Sequence, residues 1–471
     1  MGVVSTLQQR LVRSAATVDS SVTLLADFQR WFRERVDADE SRIEIIPFEA
    51  MRGWDFAPDT HNLVHETGRF FTVEGIRVRM PGAPVEEWRQ PILHQPEIGI
   101  LGILVKDFDG VPHFLMQAKM EPGNHGGLQL SPTVQATRSN YTRVHKGRAV
   151  PYLEYFQRTE RHRVLADVRQ SEQGSWFFRK RNRNILVEVA PETDVEVRDG
   201  FRWLTLGQLH HLLAVEDLVN MDARSVLACL PHSPLDPGET FPAAGSPGTA
   251  EPERQRRHTL HRDADILSWI TGLRTEREVS TERIPLREAT GWHRNAHRIS
   301  HESGRFFSVM AVDVTAGGRE VGGWTQPMIE PHGPGVAAFL LAHADKVPHV
   351  LVQARAEPGY TDVVELAPTV QCTPRNYTHL PEGATPPFLK EVVEAPAERV
   401  RFDTVLSEEG GRFFHAFNRY LVVETEMSAV PEEPPHYRWM AVRQLLDLIR
   451  HSHYVNIEAR TLIACLHSLA V

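Results

Sequence analysis

The spacing of apolar and polar positions predicts helices on both sides of a strand-rich segment. Phe28, Trp31 and Phe32 recur at helical spacing near the start of the chain, which predicts an amphipathic helix. Residues 98–120 contain two apolar runs separated by an Asp-Gly pair, which predicts two buried strands joined by a tight hairpin. Residues 203–215 again show helical spacing, and Asn220 is predicted to cap the helix that follows, with Asp222 in its first turn favouring the helix dipole. Strands bounded by helices favour an α+β unit with helices packed on a sheet.

The same pattern returns 236 residues later, for example from His65 to His301. The offset holds through motifs in both halves, which are HETGRFF at 65–71 and HESGRFF at 301–307, QAKMEPG at 117–123 and QARAEPG at 353–359, and VNMDARSVLACL at 219–230 and VNIEARTLIACL at 455–466. Solenoid repeats are much shorter, about 20–50 residues. The chain is therefore interpreted as one ancestral domain that was duplicated and fused, and two residues 236 positions apart are called twins.

The repeat divides the chain into four segments. Residues 1–20 are predicted to form a loosely held N-terminal arm, residues 21–230 the first repeat, and residues 258–471 the second repeat. Residues 231–257 are rich in proline and glycine and contain six prolines. This segment is interpreted as a linker because such a composition buries little apolar surface.

The composition is typical of a soluble protein. Of 471 residues, 41% are hydrophobic and 24% are charged, which is enough for two cores. The net charge of −9 argues against a nucleic-acid-binding surface over the whole protein, and the basic run at residues 179–183 is interpreted as a solvated turn or strand edge. The twins Cys229 and Cys465 are predicted to be core residues in a reducing compartment. The sequence has neither a membrane-length apolar run nor a secretory signal, so a cytoplasmic protein is expected.

A set of segments together resembles the NDP-hexose 2,3-dehydratases of deoxysugar pathways. These segments are GW at 53–54 and 291–292, the paired H-E-x-G-R-F-F motifs, QPEIGILGILVKDFDG at 95–110, HFLMQAKMEPGN at 113–124, LSPTVQATRSNYTRVH at 130–145, SEQGSWFFRKRNRN at 171–184, and AEPG with ELAPTVQCTPRNYT in the second repeat. The resemblance covers nearly the whole chain. It implies a tandem duplication of a Nudix-like domain, with a mixed β-sheet and packed helices in each half, and a homodimer.

The resemblance also implies an activity, which is the removal of water across C2–C3 of dTDP-4-keto-6-deoxy-D-glucose. The implied product is dTDP-3,4-diketo-2,6-dideoxy-D-glucose, an unstable sugar that a downstream 3-ketoreductase must capture. The implied setting is the cytoplasm of a producer of glycosylated secondary metabolites such as antibiotics. The expected partners are the dTDP-sugar, the ketoreductase and a second copy of the chain, without nucleic acid or membrane.

Two other functions stay open, namely a metal-dependent Nudix-type hydrolase of nucleotide diphosphates and a non-catalytic sugar-nucleotide binding protein. The hydrolase needs carboxylates gathered on a helix to hold divalent cations, in the pattern G-x5-E-x7-R-E-U-x-E-E-x-G-U. Neither repeat contains this pattern. The elimination needs only a base, donors for an enolate oxygen and an acid. Neither a cofactor nor a metal is therefore expected, and glycine-rich cofactor fingerprints are absent from the sequence.

Substrate-binding residues are predicted in both repeats. Trp54 and Trp292 each follow a glycine and are interpreted as stacking on the thymine base, with a core position as the alternative. Ser171 begins an acidic-glycine turn that either touches the ligand or closes a hairpin. His65 and Glu121 occur in both repeats and are interpreted as structural. Polar groups beyond a strand suit the diphosphate and the sugar hydroxyls, and they are Thr137, Arg138, Ser139, Asn140 and Tyr141 in the first repeat and Thr373, Arg375, Asn376 and Tyr377 in the second.

Differences between twins indicate where the chemistry lies. Lys119 and Ser131 in the first repeat correspond to Arg355 and Ala367 in the second. A lysine can act as a base when neutral or stabilise an enolate when charged, whereas an arginine can only do the latter, so Arg355 is assigned to substrate binding. Lys119, Ser131 and Tyr141 are predicted to be catalytic residues near the sugar, with a degenerate site in the second repeat. The opposite assignment of the two sites stays open.

Overall fold

The computed structural model describes residues 6–141, 149–231, 259–317, 321–378 and 384–469. Up to residue 231 the helices are α1 Leu7–Ala16, α2 Leu25–Asp37, α3 Arg138–Tyr141, α4 Leu153–Gln157, α5 Leu206–Leu213 and α6 Met221–Leu227. The strands there are β1 Arg42–Ile46, β2 Trp54–Phe56, β3 Leu63–His65, β4 Thr72–Arg79, β5 Glu87–His94, β6 Gly99–Phe108, β7 Val111–Met120, β8 Leu128–Ser131, β9 Val134–Ala136, β10 Arg163–Ser171, β11 Arg181–Val189 and β12 Phe201–Thr205.

From residue 259 the same succession of elements returns. The helices are α7 Asp263–Glu276, α8 Leu389–Val393, α9 Val442–Ile449 and α10 Ile457–Ser468. The strands are β13 Ser280–Ile284, β14 Trp292–Arg294, β15 Arg298–His301, β16 Phe307–Thr315, β17 Gly323–Pro331, β18 Gly335–Ala344, β19 Val347–Ala356, β20 Val364–Ala367, β21 Val370–Cys372, β22 Val400–Ser407, β23 Phe417–Glu424 and β24 Tyr437–Ala441. Short 3₁₀ helices occur at Phe48–Ala50, Thr159–Arg161, Leu286–Glu288, Pro374–Tyr377, Ala397–Arg399 and Met427–Ala429. The α+β class and the duplication are thus confirmed.

Each repeat is built around a seven-stranded mixed sheet with a common strand order. In the first repeat the order is β10-β11-β6-β7-β12, with β8 paired to β7 and β9 paired to β6. β11 runs parallel to β6, whereas β6 and β7 are antiparallel. In the second repeat the order is β22-β23-β18-β19-β20, with β24 on β19 and β21 on β18, and β18 is parallel to β23.

The two repeats exchange a strand. β1 of the first repeat pairs with β16 of the second, from Arg42 opposite Thr315 to Ile46 opposite Ala311. In return, β13 of the second repeat pairs with β4 of the first. Both five-stranded sheets therefore contain strands from both repeats, and neither sheet is complete within one repeat.

The helices that end the two repeats pack into one hydrophobic core. α6 and α10 contact each other, and the core joins Leu130 of the first repeat to Leu366 of the second. Cys229 and Cys465 are free, buried thiols in this core, which confirms their predicted position. A shared core and exchanged strands make the two repeats one packing unit.

Local elements follow the sequence closely. α2 buries Phe28, Trp31 and Phe32, as their spacing predicts. The hairpin between β6 and β7 turns at Asp109 and Gly110, whose φ values of 53° and 82° are those of a tight two-residue turn. Within the residues that the structure describes, none of the helices combines the length and the apolar character that a membrane crossing requires.

The N-terminal arm differs from the expectation of a loosely held segment. Residues 7–16 form α1, and Leu11 is fully buried in the shared core. The hydroxyl of Ser14 donates to the carbonyl oxygen of Pro112 at 2.6 Å, which fixes the helix on β7. The predicted linker at 231–257 lies outside the described residues except for its first residue, and the domain boundaries stay predictions.

Candidate functional site

A cavity of about 370 Å³ lies in the first repeat and is partly closed by the second repeat. We call it the first-repeat cavity. The first repeat contributes the ends of the large-sheet strands and the start of α6, and the second repeat contributes β17 and the segment before β23. The charged side chains in its lining are Arg52, Lys119, Glu121, Glu172, Lys180 and Asp222 from the first repeat and Glu409 and Arg412 from the second.

Three neighbouring elements bring most of these charges together. Lys119 lies at the end of β7, and Glu121 follows it directly. Glu172 follows β10 and Lys180 precedes β11, so the connection between these two strands presents both. Asp222 lies in the first turn of α6. Because β7, β6 and β11 belong to one sheet, their ends lie at one side of the cavity.

Lys119 and Glu121 form a buried ion pair in the cavity wall. The two charged groups are 2.8 Å apart, and the ammonium also donates to the carbonyl oxygen of Gln135 at 3.2 Å. These two contacts hold the side-chain nitrogen of Lys119 at a fixed place in the cavity wall, where it can donate to a developing oxyanion. Glu121 accordingly has a role beyond the turn that the sequence predicts.

Three further carboxylic acids in the lining have raised pKa values. Burial raises the pKa of Glu172 to about 7, although the charges of Arg460 and Lys180 act in the opposite direction. Burial also raises the pKa of Glu409, and it raises the pKa of Asp222 well above the ordinary value with a further contribution from the charge of Glu172. An acid with a pKa of about 7, such as Glu172, can both donate and accept a proton during catalysis.

The hydrogen bonding of these acids is incomplete. The side-chain amide of Asn182 donates to Oε1 of Glu172 at 2.7 Å, and the backbone N–H of Gly411 donates to Oε1 of Glu409 at 3.0 Å. The Oε2 atoms of both glutamates and Oδ1 of Asp222 are buried without a hydrogen-bond partner among the described residues. Each such atom costs about 1–3 kcal/mol, so we interpret them as groups whose hydrogen bonds a ligand completes. Among the residues that the structure describes, no group of three or more His, Cys, Asp or Glu side chains is arranged to hold a metal ion.

Lys180 corrects the interpretation of the basic run at residues 179–183 as a solvated turn or strand edge. The side chain is only 5% exposed, and its ammonium donates to the carbonyl oxygen of Glu97. Burial lowers the pKa of Lys180 to about 8, against the opposing effect of the Glu172 charge. β11, which begins at Arg181, lies between β10 and β6 and is therefore an interior strand.

The lining includes five residues that the sequence predicts in the first repeat, and they are Trp54, Lys119, Thr137, Ser139 and Asn140. The indole N–H of Trp54 donates to the carbonyl oxygen of Thr325 at 2.9 Å, and its ring meets His65 edge-on with centroids 5.2 Å apart. The backbone N–H and the hydroxyl of Ser139 donate to the carboxylate of Glu97 at 3.1 and 2.9 Å. The second repeat thus fixes the aromatic wall of the cavity.

Other predicted residues lie away from the cavity lining. Ser131 is fully buried, and its hydroxyl donates to the carbonyl oxygen of the next residue at 3.1 Å. Ser171 donates to Glu365 at 2.5 Å across the boundary between the repeats. Arg138 is exposed, and Tyr141 packs partly buried against a separate hydrophobic cluster. Direct contact of these four side chains with substrate stays a prediction.

Two buried tyrosines of the second repeat have smaller twins in the first repeat. Tyr360, the twin of Asn124, is buried, and its hydroxyl accepts a hydrogen bond from Asn456 at 3.1 Å. Tyr420 is fully buried, and its hydroxyl donates to Glu408 at 2.6 Å. Smaller asparagines stand at both twin positions in the first repeat. This difference supports the prediction that the first repeat holds the active site.

The predicted residues of the second repeat lie on β14, on β19 and after β21. Arg355 pairs with Glu357 at 2.8 Å and donates to the carbonyl oxygen of Gln371 at 3.0 Å. Burial acts to lower the pKa of Arg355, but Glu357, Tyr377 and Tyr360 together raise it above the ordinary value. The indole of Trp292 donates to the carbonyl oxygen of Arg89 at 3.0 Å. The turn and 3₁₀ helix after β21 carry the others, which are Thr373, Arg375, Asn376 and Tyr377.

Sequence reasoning missed three acids of the cavity, which are Glu172, Asp222 and Glu409. The sequence indicates for Asp222 only that it complements the dipole of α6 from the first turn of the helix. The predicted N-cap of α6, Asn220, is confirmed, because its side chain accepts a hydrogen bond from the backbone N–H of Ala223 at 2.8 Å. The available signal was the difference between Glu409 and its twin Gln173. Nothing in the sequence alone indicates that Glu409 reaches the cavity of the other repeat.

Comparison with known proteins gives the family. The family described as NDP-hexose 2,3-dehydratase matches residues 25–230 and 263–466. A protein from Amycolatopsis orientalis named dTDP-4-dehydro-6-deoxy-alpha-D-glucopyranose 2,3-dehydratase is 49% identical over 466 residues, which cover 98% of this chain and 94% of that protein. Proteins with the same name from Saccharopolyspora spinosa and Streptomyces violaceoruber are 46% and 49% identical over 463 and 452 residues, which cover 98% and 95% of this chain and 95% and 98% of theirs. The chain therefore belongs to the NDP-hexose 2,3-dehydratase family, as the resemblance of its motifs predicts.

Proposed function

We propose that the chain removes water across C2–C3 of dTDP-4-keto-6-deoxy-D-glucose and releases dTDP-3,4-diketo-2,6-dideoxy-D-glucose. The observation that carries this proposal is the presence, in one cavity, of a lysine paired with a carboxylate and of buried acids with raised pKa values. The names of the three relatives support this choice of sugar nucleotide.

The chemistry of the substrate explains why these two kinds of group suffice. The C4 carbonyl makes the hydrogen on C3 acidic, so a base can remove it and leave an enolate with negative charge on the C4 oxygen. We assign the ammonium of Lys119 to that oxygen. Preorganised groups of this kind contribute about 10²–10³ in rate. The hydroxyl on C2 then leaves as water once an acid protonates it, and each positioned proton transfer contributes about 10²–10⁴ in rate.

The shape of the cavity suits a sugar nucleotide. Its volume of about 370 Å³ lies within the range of small-molecule sites, roughly 300–1,000 Å³. We assign the thymine base to the aromatic wall, which consists of Trp54, His65, Phe70 and Phe71. Arg412, whose guanidinium lies 4.3 Å from the ring centroid of Phe71, is assigned to the diphosphate. The side chains of Thr137, Ser139 and Asn140 then remain for the hydroxyls of the sugar.

Several finer features belong to the same proposal. Each repeat is proposed to be a Nudix-like domain, and the chain is proposed to form a homodimer in the cytoplasm. The unstable diketo product is proposed to pass to a 3-ketoreductase, in a pathway that makes a deoxysugar for a secondary metabolite. Family membership supports these features.

The test is a coupled assay with the purified full-length chain. The protein is incubated with dTDP-4-keto-6-deoxy-D-glucose, a 3-ketoreductase and NADPH, in parallel with EDTA and with added Mg²⁺, and the nucleotides and nucleotide sugars are separated and identified by mass spectrometry. We expect a 2-deoxy sugar nucleotide that keeps its diphosphate. The Lys119→Met variant serves as the control for contaminating activity and should form at least 100-fold less product.

Two results would contradict the proposal. Release of dTMP in a metal-dependent manner would instead indicate a Nudix-type hydrolase. Recovery of intact substrate, together with tight binding of the sugar nucleotide, would indicate a non-catalytic binding protein.

A further inference from the structure

Glu172 and Glu409 approach the first-repeat cavity from different repeats. Both line the cavity, and the charge of Glu409 contributes to the raised pKa of Glu172, after the larger effect of burial. Each carboxyl group uses Oε1 for a hydrogen bond, and each leaves Oε2 buried and without a partner among the described residues. Two unpartnered carboxyl oxygens around one cavity are unusual, because buried polar atoms are almost always paired.

The twin positions show how these two groups are related in space. The twin of Glu172 is Glu408, and the twin of Glu409 is Gln173. In the second repeat the side-chain amide of Gln173 donates to Oε2 of Glu408 at 2.7 Å. Around the first-repeat cavity Glu409 takes the place of Gln173, so a carboxyl replaces the amide that donates this hydrogen bond. The equivalent contact then joins two acceptors, the carboxyl groups of Glu172 and Glu409. Glu172 and Glu409 therefore stand where a hydrogen-bonded pair stands in the other repeat.

A second donor has also been lost around Glu172. Oε1 of Glu408 accepts hydrogen bonds from Asn418 at 2.7 Å and from the hydroxyl of Tyr420 at 2.6 Å. Asn182, the twin of Asn418, is retained, but the twin of Tyr420 is an asparagine whose side chain accepts a hydrogen bond from Ser225. The carboxyl of Glu408 is thus saturated with donors, whereas that of Glu172 is not.

We propose that Glu172 and Glu409 form a carboxyl pair that carries a single proton in the substrate-free enzyme and supplies both the base and the acid for the elimination. This inference rests on the proposed dehydratase function and deepens it. When two carboxyl groups share one desolvated site, the charge on the first raises the free energy needed to ionise the second. The singly protonated state of the pair is therefore favoured around neutral pH. The second repeat is then part of the active site and not only a degenerate copy.

The proton balance of the reaction fits such a pair. The ionised carboxylate takes the proton from C3, and the electron pair of that C–H bond forms the C3–C4 double bond of the enolate. The enolate then re-forms the C4 carbonyl, and the electron pair of its C3–C4 double bond becomes a C2–C3 double bond. At the same time the C2–O bond breaks as the carboxylic acid gives its proton to the departing hydroxyl, which leaves as water. The pair holds one proton before and after this step, now on the other member.

Conversion of the resulting enol to the diketone restores the starting state. The member that took the proton from C3 gives it to C2, and the other member takes the proton of the C3 hydroxyl. One pair can therefore carry out the whole sequence without an external proton source.

Other charged groups face the pair from every element packed around it. The cations are Lys180 at the start of β11, Arg460 on α10, Arg412 beside Glu409 and Lys119 at the end of β7, and the acids are Glu121 and Asp222. Lys180 and Arg460 lower the pKa of Glu172, and Arg412 lowers that of Glu409, so the cations oppose full protonation of the pair. Burial and the neighbouring acids oppose full ionisation.

The test compares Glu172→Gln, Glu409→Gln and the double variant with the wild-type chain. The wild type first establishes the reaction in the coupled assay, so failure of the proposed function is seen separately, as absence of product with the wild type. We expect each single variant to lower kcat at least 100-fold and the double variant to be little worse than the slower single variant. We also expect a bell-shaped pH profile of kcat/KM for the wild type and the loss of one limb in each single variant.

Exchange of the C3 hydrogen with solvent deuterium distinguishes the two roles. One single variant should retain this exchange without elimination, because its base is intact, and the other should lose both. Glu408→Gln is the matched control, since it removes a buried carboxyl from the twin position, and it should keep kcat within about threefold. Glu409→Asp keeps the carboxyl and should recover part of the activity, which separates loss of chemistry from loss of folding. The inference is wrong if Glu409→Gln keeps the wild-type kcat and pH profile, or if Glu409→Asp is as inactive as Glu409→Gln while it binds dTDP normally.

Discussion

Arg460 of the second repeat donates a hydrogen bond to the carbonyl oxygen of Ser171 in the first repeat at 2.7 Å. Its twin Arg224 donates in the same way to the carbonyl oxygen of Ser407, so the two contacts are related by the repeat. Both arginines are fully buried. Only the Arg460 contact lies next to an acid of the first-repeat cavity, because Glu172 follows Ser171 directly.

This relationship predicts different effects of two equivalent substitutions. Arg460→Met and Arg224→Met should each lower the free energy of unfolding by several kcal/mol, since each leaves two buried carbonyl oxygens without donors at about 1–3 kcal/mol apiece. Arg460→Met should also lower kcat at least tenfold, because Ser171 no longer holds Glu172 in place. Urea unfolding and the coupled assay measure the two effects. An equal loss of kcat in both variants would show that the effect is general instability.

A substitution series at Lys119 separates the two roles that the sequence leaves open for this lysine. Lys119→Met should lower kcat about 10²–10³-fold, because the enolate oxygen loses its charged partner. Lys119→Arg keeps the charge and should recover a substantial part of kcat, as an arginine can stabilise an anion but cannot act as a base. If Lys119→Arg were as inactive as Lys119→Met while it still bound the substrate, the lysine would be the base.

The exchanged strands predict that the repeats do not fold separately. Residues 1–230, which keep α1, lack β13 when expressed alone and expose the edge of β4, and residues 258–471 alone lack β1 and expose the edge of β16. Each fragment should be insoluble or show no cooperative thermal transition. Coexpression of both should give a soluble, active complex that copurifies through a tag on one fragment. A cooperative transition in either fragment alone would contradict this.

Comparison of particular residues shows how far the sequence predicts the fold and the site. The turn at Asp109 and the cap at Asn220 are encoded by a few adjacent residues, and both are confirmed. The burial of Leu11 follows from the packing of α1 on α5 and β7, which lie about 100 to 200 positions away, and a short polar helix gives no local sign of it. Glu409 reaches the cavity only because the repeats pack together and exchange strands. Local elements were therefore predictable, whereas the composite site was not.

Lys180 shows the same limit for electrostatics. A lysine within five consecutive polar residues usually lies in solvent, and only the parallel pairing of β11 with β6 carries this one into the interior. The duplication supplied a long-range signal in the sequence, because twins such as Asn124 and Tyr360 mark positions at which the two repeats differ.

Glu365 predicts a pH dependence of stability. Burial raises its pKa to about 7, although the hydroxyl of Ser171 and the charge of Arg460 act in the opposite direction. A carboxyl with a folded-state pKa above the unfolded value of about 4.3 contributes stability below about pH 4.3 and loses that contribution as the pH rises to about 7. Glu365→Gln removes the ionisable carboxyl, and with it the loss of folding stability at high pH. The variant should be more stable than the wild type at pH 8 by up to about 3 kcal/mol, with little difference at pH 4.5, as measured by urea unfolding.

The twin position supplies the control for Glu365. Gln129 already occupies it, and its side-chain amide donates to the hydroxyl of Ser407 at 2.8 Å. Gln129→Glu should therefore introduce the same loss of stability with rising pH. A pH-independent effect of either substitution would argue against titration of the buried carboxyl.

Tyr360 indicates how the first-repeat cavity can be closed by one substitution. An added Cβ at Gly174 would lie 2.6 Å from the Tyr360 ring, so this glycine provides the space for the tyrosine. Its twin Gly410 provides the same space above Asn124 in the first repeat. Asn124→Tyr should therefore fold normally and place its hydroxyl near Asn220, as Tyr360 does with Asn456. The amide of Asn220 also donates to Gln135 at 3.1 Å, so the new hydroxyl should lie close to Gln135.

Because Gln135 lines the first-repeat cavity, the new ring should exclude the sugar. We expect Asn124→Tyr to unfold within a few degrees of the wild type and to weaken binding of dTDP-4-keto-6-deoxy-D-glucose at least tenfold, measured by calorimetry, with kcat/KM lowered by at least the same factor. Asn124→Ala removes the same amide without adding bulk and should keep binding within about threefold. Binding of the sugar nucleotide by Asn124→Tyr with wild-type affinity would place the substrate outside this cavity, and the assignment of the active site to the first repeat would then be wrong.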